Sequence, residues 1–323
     1  MTIHEAQQQL LSQLYHLYDN REAANIADWV MEHITGWKKI DRIINKTLPL
    51  QSDRLAQLEQ YTKELLQHKP VQYVLHEAWF CGMPFYVDEN VLIPRPETEE
   101  LVEWVQLEVG SRKKEVGSQK SDADSYKEEG QKPEGASDFR PQTSDYRPLT
   151  SALILLDIGT GSGCIPISLK KKLPQAEVYA CDVSEAALTV AAKNANTLLK
   201  TTVHFIQADF LNTASWQQLP AVDIIVSNPP YIPQNNKQVM QPNVLQHEPH
   251  LALFVPDIDP LLFYNAIADF AQQKLLPGGC IFVEIHEDLG EQTKALFEGK
   301  GFVAEVKMDF QGKDRMIKAS NKS

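Results

Sequence analysis

The feature that most constrains the fold is an alternation of short apolar runs with helical segments through the second half of the chain. The apolar runs lie at 153–158, 177–182, 203–208, 222–227 and 279–285. Helical segments such as 184–199 and 260–275 separate them. This alternation predicts a mostly parallel sheet that is covered by helices on both faces. Two further runs, 302–310 and 314–319, predict a terminal antiparallel hairpin at one edge of the sheet.

Composition and charge argue against three classes of protein: stand-alone nucleic-acid binders, membrane proteins and secreted proteins. The chain has 323 residues, of which 43% are hydrophobic, and this is enough for two domains with a sizeable core. The net charge of −12 argues against a stand-alone nucleic-acid binder, although it does not exclude a local basic patch. No apolar run approaches the length of a membrane helix, and the first residues are polar and acidic, unlike a signal peptide. We therefore expect a cytoplasmic protein with no membrane partner.

The cysteines give no sign of a metal site or a disulfide framework. They are scattered along the chain, without a Cys-x-x-Cys pair, at Cys81, Cys164, Cys181 and Cys280. Zinc sites and disulfide frameworks need clustered ligands or a small secreted scaffold. We expect reduced cysteines in the core and no bound metal.

The pattern before residue 94 differs from the alternation that follows it. Residues 1–70 have apolar side chains at helical spacing and predict four or five short helices. This small bundle could be a docking domain for a protein substrate or only a packing cap, and periodicity does not separate the two. Residues 71–93 predict a connecting β-hairpin around Gly82 and Pro84. Residues 94–323 form the sheet domain, which begins with a helix at Pro96.

One segment of the sheet domain, about 111–150, has few large apolar side chains. It is rich in Ser, Lys, Glu, Asp, Gln and Gly, and it ends in a tandem heptapeptide that starts at Ser137 and again at Ser144. Such a composition cannot bury enough surface to offset the entropy of ordering, so it predicts a disordered, functionally silent insert. The alternative is a tether for a partner. Deletion of 113–148 is expected to leave activity largely intact.

A glycine-rich loop follows the first apolar run. It consists of Gly159, Thr160, Gly161, Ser162 and Gly163. In a doubly wound sheet, ligands bind at the carboxyl ends of the strands, and glycine lets the backbone approach them closely. Asp182 ends the second run and could accept hydrogen bonds from ribose hydroxyls, while Asp209 and Phe210 follow the third run and could hold an adenine amino group and ring.

The loop does not fit two common nucleotide motifs. A dinucleotide fingerprint would need glycine at the position of Cys164, and a phosphate-binding Walker loop would need a following Gly-Lys-Ser/Thr. Asp157, just before the loop, would repel a pyrophosphate but suits the cationic methionine part of S-adenosylmethionine. We therefore predict S-adenosylmethionine as the cofactor.

A second loop follows the fourth apolar run. It consists of Asn228, Pro229, Pro230 and Tyr231. The side-chain carbonyl of Asn228 and the backbone carbonyl of Pro229 could accept both N–H bonds of a planar NH2 group and stabilise the positive charge that grows on its nitrogen. Tyr231 would stack on the acceptor group, and Asn228 is also expected to contact the cofactor. These features resemble the S-adenosylmethionine-dependent methyltransferases of planar NH2 groups. The acceptor could be a glutamine amide, adenine N6, cytosine N4 or guanine N2.

The substrate is indicated by a closer resemblance, which covers nearly the whole chain outside 111–150. The chain resembles the release-factor glutamine methyltransferases, the PrmC/HemK family, in several runs: Pro70–Tyr73, Leu92–Glu99, Asp157–Gly163, Asn228–Pro233, His247–Pro249, Leu251–Leu253 and Lys313–Arg315. The run Ile-Pro-Arg-Pro-Glu-Thr-Glu is the most specific. A related family that methylates a ribosomal-protein glutamine is expected to have Val-Pro-Arg-Ser-Pro instead.

The resemblance implies a Rossmann-like, seven-stranded class I methyltransferase domain, a small all-helical N-terminal domain and a connecting hairpin. It implies methylation of the amide nitrogen (N5) of the glutamine in the Gly-Gly-Gln motif of peptide chain release factors. We expect a monomer, although the sequence does not decide the oligomeric state. Gly159 to Gly163, Asp182 and Phe210 would contact the cofactor, and Asn228 to Tyr231 would hold the glutamine. Two departures are His76 and His286, which stand where glycine is expected.

Two other functions stay open at this point. A nucleic-acid amino-methyltransferase would need a target-reading domain or a basic cleft, and usually base flipping. A non-catalytic protein that kept the fold would not bind S-adenosylmethionine.

Overall fold

The protein forms two compact units. The computed structural model describes the backbone of residues 1–125 and 152–321, and the side chains of these residues except 113–125 and Val239. The first unit, here the helical unit, contains Met1–Ala78, Tyr86–Ile93 and Asn235–His250. The second, here the sheet unit, contains Trp79–Phe85, Pro94–Gln234 and Leu251–Ser323. Among the described residues, no helix is both long and apolar enough to cross a membrane.

The helical unit begins with five helices: α1 Ile3–Leu14, α2 Asn20–Thr35, α3 Lys39–Ile44, α4 Ser52–Leu65 and α5 Val71–Leu75. Local sequence sets their ends. Thr2 and Glu5 form a capping box before α1, and the Asp19 carboxylate caps the first N–H groups of α2. Gly36 ends α2 in the left-handed conformation, with φ of 70°. The first two helices and α4 bury an apolar core: Leu10, Leu14, Ile26, Val30, Ile34, Leu58 and Leu65.

A short hairpin lies within the stretch predicted for it. Strand β1, Ala78–Phe80, pairs with β2, Met83–Phe85, around a turn at Cys81 and Gly82. The hairpin is shorter than the predicted range of 71–93, because Val71–Leu75 forms α5.

The later elements follow in chain order: α6 Pro96–Ser125, β3 Ile154–Ile158, α7 Cys164–Lys172, β4 Glu177–Asp182, α8 Glu185–Leu198, β5 His204–Gln207, β6 Val222–Ser227, β7 Ile232–Pro233, α9 Pro242–His247, α10 His250–Leu253, β8 Phe254–Val255, α11 Leu262–Lys274, β9 Leu275–Glu284, α12 Gly290–Gly299, β10 Phe302–Met308 and β11 Asp314–Asn321. Short 3-10 turns lie at Thr213–Gln218, Gln234–Val239 and Glu287–Leu289. Helix α9 lies in the segment that joins the helical unit.

The main sheet has seven strands in the order β10-β11-β9-β6-β3-β4-β5. Strands β5, β4, β3, β6 and β9 are parallel neighbours, while β11 pairs antiparallel with both β9 and β10. The predicted Rossmann-like, seven-stranded sheet with a terminal antiparallel hairpin is confirmed. The sheet order reverses around β3, so the carboxyl ends of β3, β4 and β6 meet at the place where such folds bind ligands.

The sheet unit has two buried core clusters, and successive side chains of a strand belong to different clusters. Leu156, Ile225 and Ile281 pack in one buried cluster with residues of α11 and α12. Their chain neighbours Leu155 and Ile224 pack in a second cluster with residues of α6 and α7. Successive side chains of a strand point to opposite faces, so helices cover both faces of the sheet.

Helix α6 continues into the segment predicted to be a disordered insert. The backbone is helical up to Ser125, so residues 111–125 are described as helix rather than disordered chain. The rest of the predicted insert, including the tandem heptapeptide, lies outside the described residues.

Candidate active site

The glycine loop connects β3 to α7 and is fastened to the end of β4. The backbone N–H groups of Gly159 and Thr160 both donate to the carbonyl of Cys181, at 2.9 and 3.0 Å. The N–H of Gly161 donates to Oδ2 of Asp182 at 2.9 Å. The loop therefore lies across the carboxyl ends of two neighbouring strands.

Two glycines of the loop have different roles. Gly161 has φ of 51°, and a Cβ there would meet nothing within 4 Å, so glycine is needed for the turn while space beside it stays open. Gly163 has φ of 79°, and a Cβ there would lie 3.0 Å from Ile167 Cδ1 and 3.1 Å from Ala191 Cβ. Glycine at this second position lets the loop approach α8 closely, which leaves the open side of the loop at Gly161.

A buried carboxylate precedes the loop. Asp157 is fully buried, and neither of its oxygens has a hydrogen-bond partner. The hydroxyl oxygens of Thr160 and Ser162 in the loop are also buried without partners. Burial raises the pKa of Asp157 to about 7, and the nearby Thr160 hydroxyl opposes the rise. Polar atoms without partners are rare inside proteins, so this group at a loop fits a cationic ligand group that the described residues do not supply.

Asp182 holds the loop together. Its Oδ2 accepts from Gly161 and its Oδ1 accepts from the backbone N–H of Ser184 at 2.9 Å, where α8 begins. Burial raises its pKa, and these N–H groups oppose the rise. A carboxylate has about four acceptor sites, so acceptor capacity remains for the predicted ribose contact.

The next two predicted cofactor residues, Asp209 and Phe210, differ in their exposure to solvent. Asp209 is exposed and accepts from the N–H of Leu211 at 3.1 Å. The ring of Phe210 is only 5% exposed and packs against Trp216 and Phe270, with ring centroids 5.7 and 5.3 Å away. Contact of Asp209 and Phe210 with adenine stays a prediction, and the Phe210 ring has little exposed surface for it.

The Asn-Pro-Pro-Tyr loop is tied to the glycine loop through the ends of their strands. Ile158 and Ser227 are register partners of parallel β3 and β6, and the Ser227 hydroxyl donates to the Ile158 carbonyl at 2.7 Å. Asn228 follows directly and is half-buried, while Pro229 is buried. The strand pair β7–β8 begins just after Tyr231 and joins 232–233 to 254–255. Both predicted loops therefore meet at one edge of the sheet.

A hydrogen-bond network surrounds the second loop. The Asn228 side chain donates from Nδ2 to Oγ1 of Thr98 at 3.1 Å. The Thr98 hydroxyl donates to Oε2 of Glu284 at 2.6 Å, and the Tyr231 hydroxyl donates to Oε1 of the same carboxylate at 3.1 Å. Burial raises the pKa of Glu284, and the hydrogen bonds from Thr98 and Tyr231 oppose the rise. One buried carboxylate thus connects to both ends of the loop.

Sequence reasoning did not assign Thr98 or Glu284 to the site. Thr98 lies in the Ile-Pro-Arg-Pro-Glu-Thr-Glu run, which pointed only to the start of a helix and to a family resemblance. Glu284 lies inside the apolar run 279–285, which predicted only a strand. The available signal was that each lies at one end of an element: Thr98 lies in the first turn of α6, and Glu284 ends β9, the strand that pairs with β6.

The site holds no arrangement typical of a metal centre. Within the described part of the chain, no group of three or more His, Cys, Asp or Glu side chains is placed to hold a metal ion.

Comparisons with known proteins cover both units. The family model for the PrmC N-terminal domain matches residues 5–75, and that for the methyltransferase small domain matches residues 148–252. The release factor glutamine methyltransferase of Flavobacterium psychrophilum is 40% identical over 324 residues, 99% of each chain. That of Bacteroides thetaiotaomicron is 36% identical over 95% of this chain and 96% of its own length. That of Chlorobaculum tepidum is 33% identical over 90% of this chain and 87% of its own length.

These likenesses extend over the glycine loop, the Asn-Pro-Pro-Tyr loop and the N-terminal helices together. A similarity that spans almost the entire length of both chains leaves no part of the described fold unaccounted for. The protein therefore belongs to the release factor glutamine methyltransferase family.

Proposed function

We propose that this enzyme transfers a methyl group from S-adenosylmethionine to the side-chain amide nitrogen of the glutamine in the Gly-Gly-Gln motif of peptide chain release factors. The main structural support for this reaction is the hydrogen bond that holds the two loops next to each other. The Ser227 hydroxyl, at the end of the strand before Asn-Pro-Pro-Tyr, donates to the Ile158 carbonyl, at the end of the strand before the glycine loop. The substrate is proposed from the relatives, which are named release factor glutamine methyltransferases over nearly the full chain.

The cofactor is proposed to lie along the glycine loop. When bound, S-adenosylmethionine supplies an electrophilic methyl group on a sulfonium. The Asp157 carboxylate, buried without a partner, would pair with the cationic methionine part. The remaining acceptor sites of Asp182 would bind the ribose hydroxyls, and the open side of Gly161 would lie against the cofactor. Asp209 and Phe210 are proposed for the adenine end.

The Asn-Pro-Pro-Tyr loop is proposed to hold the amide NH2. Asn228 uses Nδ2 for Thr98, which leaves its Oδ1 to accept one N–H of the substrate. The Pro229 carbonyl would accept the other, and neither Pro229 nor Pro230 has an N–H that could compete. Both acceptors stabilise the positive charge that develops on nitrogen, and they hold it in line with the methyl group. The rigid loop would take the place of a strong base: it would stabilise the positive charge on nitrogen while the nitrogen–carbon bond forms and the sulfur–carbon bond breaks, and the surplus proton would then pass to water.

Tyr231 would contribute by shape rather than by ionisation. Its hydroxyl donates to Glu284, and burial raises its pKa, so it stays neutral. With the hydroxyl held, the ring would offer one flat face to the planar amide of the substrate.

The proposed substrate suggests where the enzyme works and with which partners. We propose that the enzyme works in the cytoplasm as a single chain, that release factors are its partners, and that it keeps no stable contact with nucleic acid. The net charge of −12 supports the last point.

A labelled-methyl assay tests the proposal. Purified release factor is compared with a variant in which only the Gly-Gly-Gln glutamine is replaced, with free DNA and rRNA as further acceptors. Transfer to the wild-type factor alone is expected. Transfer to the variant, or to nucleic acid instead of the factor, would overturn the proposed substrate.

A further inference from the structure

Thr98 and Glu284 lie next to the loop that is proposed to hold the substrate amide, and they hydrogen-bond to Asn228 and Tyr231 of that loop without being assigned a contact with the substrate. We propose that they are positioning residues, which fix the Asn228 amide so that Oδ1, and not Nδ2, faces the reacting nitrogen. The identity of that nitrogen rests on the proposed function. The orientation of the amide is a property of this chain alone.

The argument begins with the direction of the hydrogen bonds. A hydroxyl has one proton, and Thr98 donates it to Oε2 of Glu284 at 2.6 Å. The oxygen of Thr98 then has only lone pairs left for Asn228, at 3.1 Å. The Asn228 side chain can satisfy a lone pair only with Nδ2, so its Oδ1 points away from Thr98. The hydrogen bond from Thr98 to Glu284 thus decides which end of the Asn228 amide is free.

The wrong orientation would disable the loop. If the amide turned over, Nδ2 would meet the NH2 of the substrate, and two donors would face each other without an acceptor between them. The amide group has nearly the same shape in both orientations, so packing alone does not choose between them. A directed hydrogen bond from a fixed neighbour does choose.

The two neighbours are well placed to be fixed. Thr98 is 2% exposed in the first turn of α6, and Glu284 is 1% exposed at the end of β9. Glu284 accepts also from Tyr231 at 3.1 Å, so the same carboxylate restrains the far end of the Asn-Pro-Pro-Tyr loop. A buried carboxylate is costly to keep unless it is hydrogen-bonded, and Thr98 and Tyr231 supply those bonds.

A purely structural role for the network has a different signature. If Thr98 and Glu284 only join α6 to β9, their loss would lower the melting temperature and weaken cofactor and substrate binding together. Positioning of one amide would instead lower kcat and leave the dissociation constant of S-adenosylmethionine unchanged, because the glycine loop is not part of the network.

The first test compares four variants with the wild type. Thr98→Val keeps the shape and removes the hydroxyl, and Thr98→Ser keeps the hydroxyl. Glu284→Gln replaces the carboxyl group that accepts from Thr98 by an amide whose NH2 can donate to Thr98 instead. Thr293→Val is the matched control, since the Thr293 hydroxyl is fully buried in the same unit and has no partner. Measured quantities are kcat and KM for release factor, the calorimetric dissociation constant of S-adenosylmethionine, and the melting temperature.

We expect Thr98→Val and Glu284→Gln to lower kcat on the order of 10- to 100-fold, the loss typical of a misdirected catalytic group. Thr98→Ser should restore kcat to within about threefold of the wild type, and Thr293→Val should leave it unchanged. All variants should bind S-adenosylmethionine as the wild type does. Unchanged kcat in both Thr98→Val and Glu284→Gln would overturn the inference, as would a parallel loss of cofactor affinity.

A second readout does not depend on methyl transfer. With 15N-labelled asparagine, the side-chain NH2 signal of Asn228 is assigned by its disappearance in Asn228→Asp. Its proton on the Thr98 side should exchange slowly with water in the wild type and in Thr98→Ser, and fast in Thr98→Val. If this pattern holds while release factor is not methylated, the proposed function fails and the positioning stands. Fast exchange already in the wild type would remove the basis of the inference.

Discussion

The hydroxyl of Ser227 donates to the backbone carbonyl of Ile158 at 2.7 Å, and this bond joins the ends of two parallel strands. Ile158 is followed by the glycine loop and Ser227 by Asn-Pro-Pro-Tyr. The bond therefore holds the proposed cofactor loop and the proposed acceptor loop in one register. Its loss should affect both stability and the distance over which the methyl group must be transferred.

Ser227→Ala should lower the free energy of unfolding by about 1–3 kcal/mol, because a buried carbonyl loses its partner. We also expect kcat to fall, by about tenfold, since the two loops are no longer held together. Chemical denaturation and the labelled-methyl assay measure the two effects. Thr293→Val is the matched control: the Thr293 hydroxyl is also fully buried in the sheet unit, but it has no partner, so its removal should change neither quantity.

Asn228→Ala should abolish turnover and leave cofactor binding almost intact. The variant loses the Oδ1 acceptor for the substrate N–H, and loss of one such preoriented group costs about 100- to 1,000-fold in kcat. The glycine loop and Asp182 are unchanged, so calorimetry should give a dissociation constant for S-adenosylmethionine close to that of the wild type. An equal loss of turnover and of cofactor affinity would instead place Asn228 in the cofactor site alone.

The pKa of Asp157, raised to about 7 by burial, predicts a pH dependence of cofactor binding. Only the ionised carboxylate attracts the cationic methionine part, so affinity for S-adenosylmethionine should rise with pH up to about 7 and then level off. Below that pH the affinity should fall by up to about tenfold per pH unit. Calorimetry over a pH series measures this dependence.

Asp157→Asn provides the comparison for that series. It should bind S-adenosylmethionine about 10- to 100-fold more weakly above pH 7, the loss expected for a charged hydrogen bond. Its affinity should no longer follow the titration, and any dependence that persists belongs to the cofactor itself. A wild-type affinity that is flat between pH 5 and 8 would show that Asp157 does not pair with the ligand.

The same carboxyl group should lower the stability of the free protein. Its folded-state pKa lies above the ordinary value of 3.8, so the folded state binds the proton more tightly than the unfolded state. The stability it contributes is present at low pH and is lost as pH rises from about 4 to about 7. Free Asp157→Asn should therefore melt at a higher temperature than the wild type at pH 8, and the difference should shrink towards pH 4. A lower melting temperature at pH 8 would contradict this sign.

Most of the fold could be predicted because each strand and helix has a local signature. The runs ending at Ile158, Asp182 and Ser227 are apolar on both faces, and such runs form buried parallel strands wherever helices separate them. Their carboxyl ends could be placed together from topology alone. The alternation of Leu155 and Leu156 between two core clusters follows from the pleat.

Other features depend on contacts that no local pattern encodes. Thr98 and Asn228 lie 130 residues apart, and only the folded sheet brings the start of α6 to the end of β6. The Phe210 ring could face a ligand or the core, and the presence of Trp216 and Phe270 decides for the core. Leu17 continues the helical spacing of Leu10 and Leu14, but it lies beyond the end of α1 and is 37% exposed.

The two histidines that replace expected glycines differ in backbone conformation. His286 has φ of −67° and ψ of 137°, an ordinary extended conformation, and its Nδ1 caps a short 3-10 turn by accepting from Asp288. His76 has φ of 54° and ψ of 36°, the left-handed conformation, at the end of α5. Its ring stacks on Tyr86 with centroids 5.2 Å apart, and its Nδ1 lies 3.2 Å from the Val87 carbonyl. Of these two histidines, His76 alone has a strained backbone conformation, and its ring contacts with Tyr86 and Val87 offset that strain.

His76→Gly should be more stable than His76→Ala by about 1 kcal/mol. Both variants lose the ring contacts, so their difference isolates the strain of a side chain in the left-handed region, which costs about 1–2 kcal/mol. Gly36→Ala is the control, because it introduces a side chain at a left-handed position instead of removing one. Gly36 ends α2 with φ of 70°, and a Cβ there would meet nothing within 4 Å. Alanine should therefore lower the free energy of unfolding by a similar amount, through backbone conformation alone. Denaturant unfolding of all four proteins gives the values. If His76→Ala equals or exceeds His76→Gly in stability while Gly36→Ala is destabilised as stated, the strain at His76 is relieved in solution by a different backbone conformation.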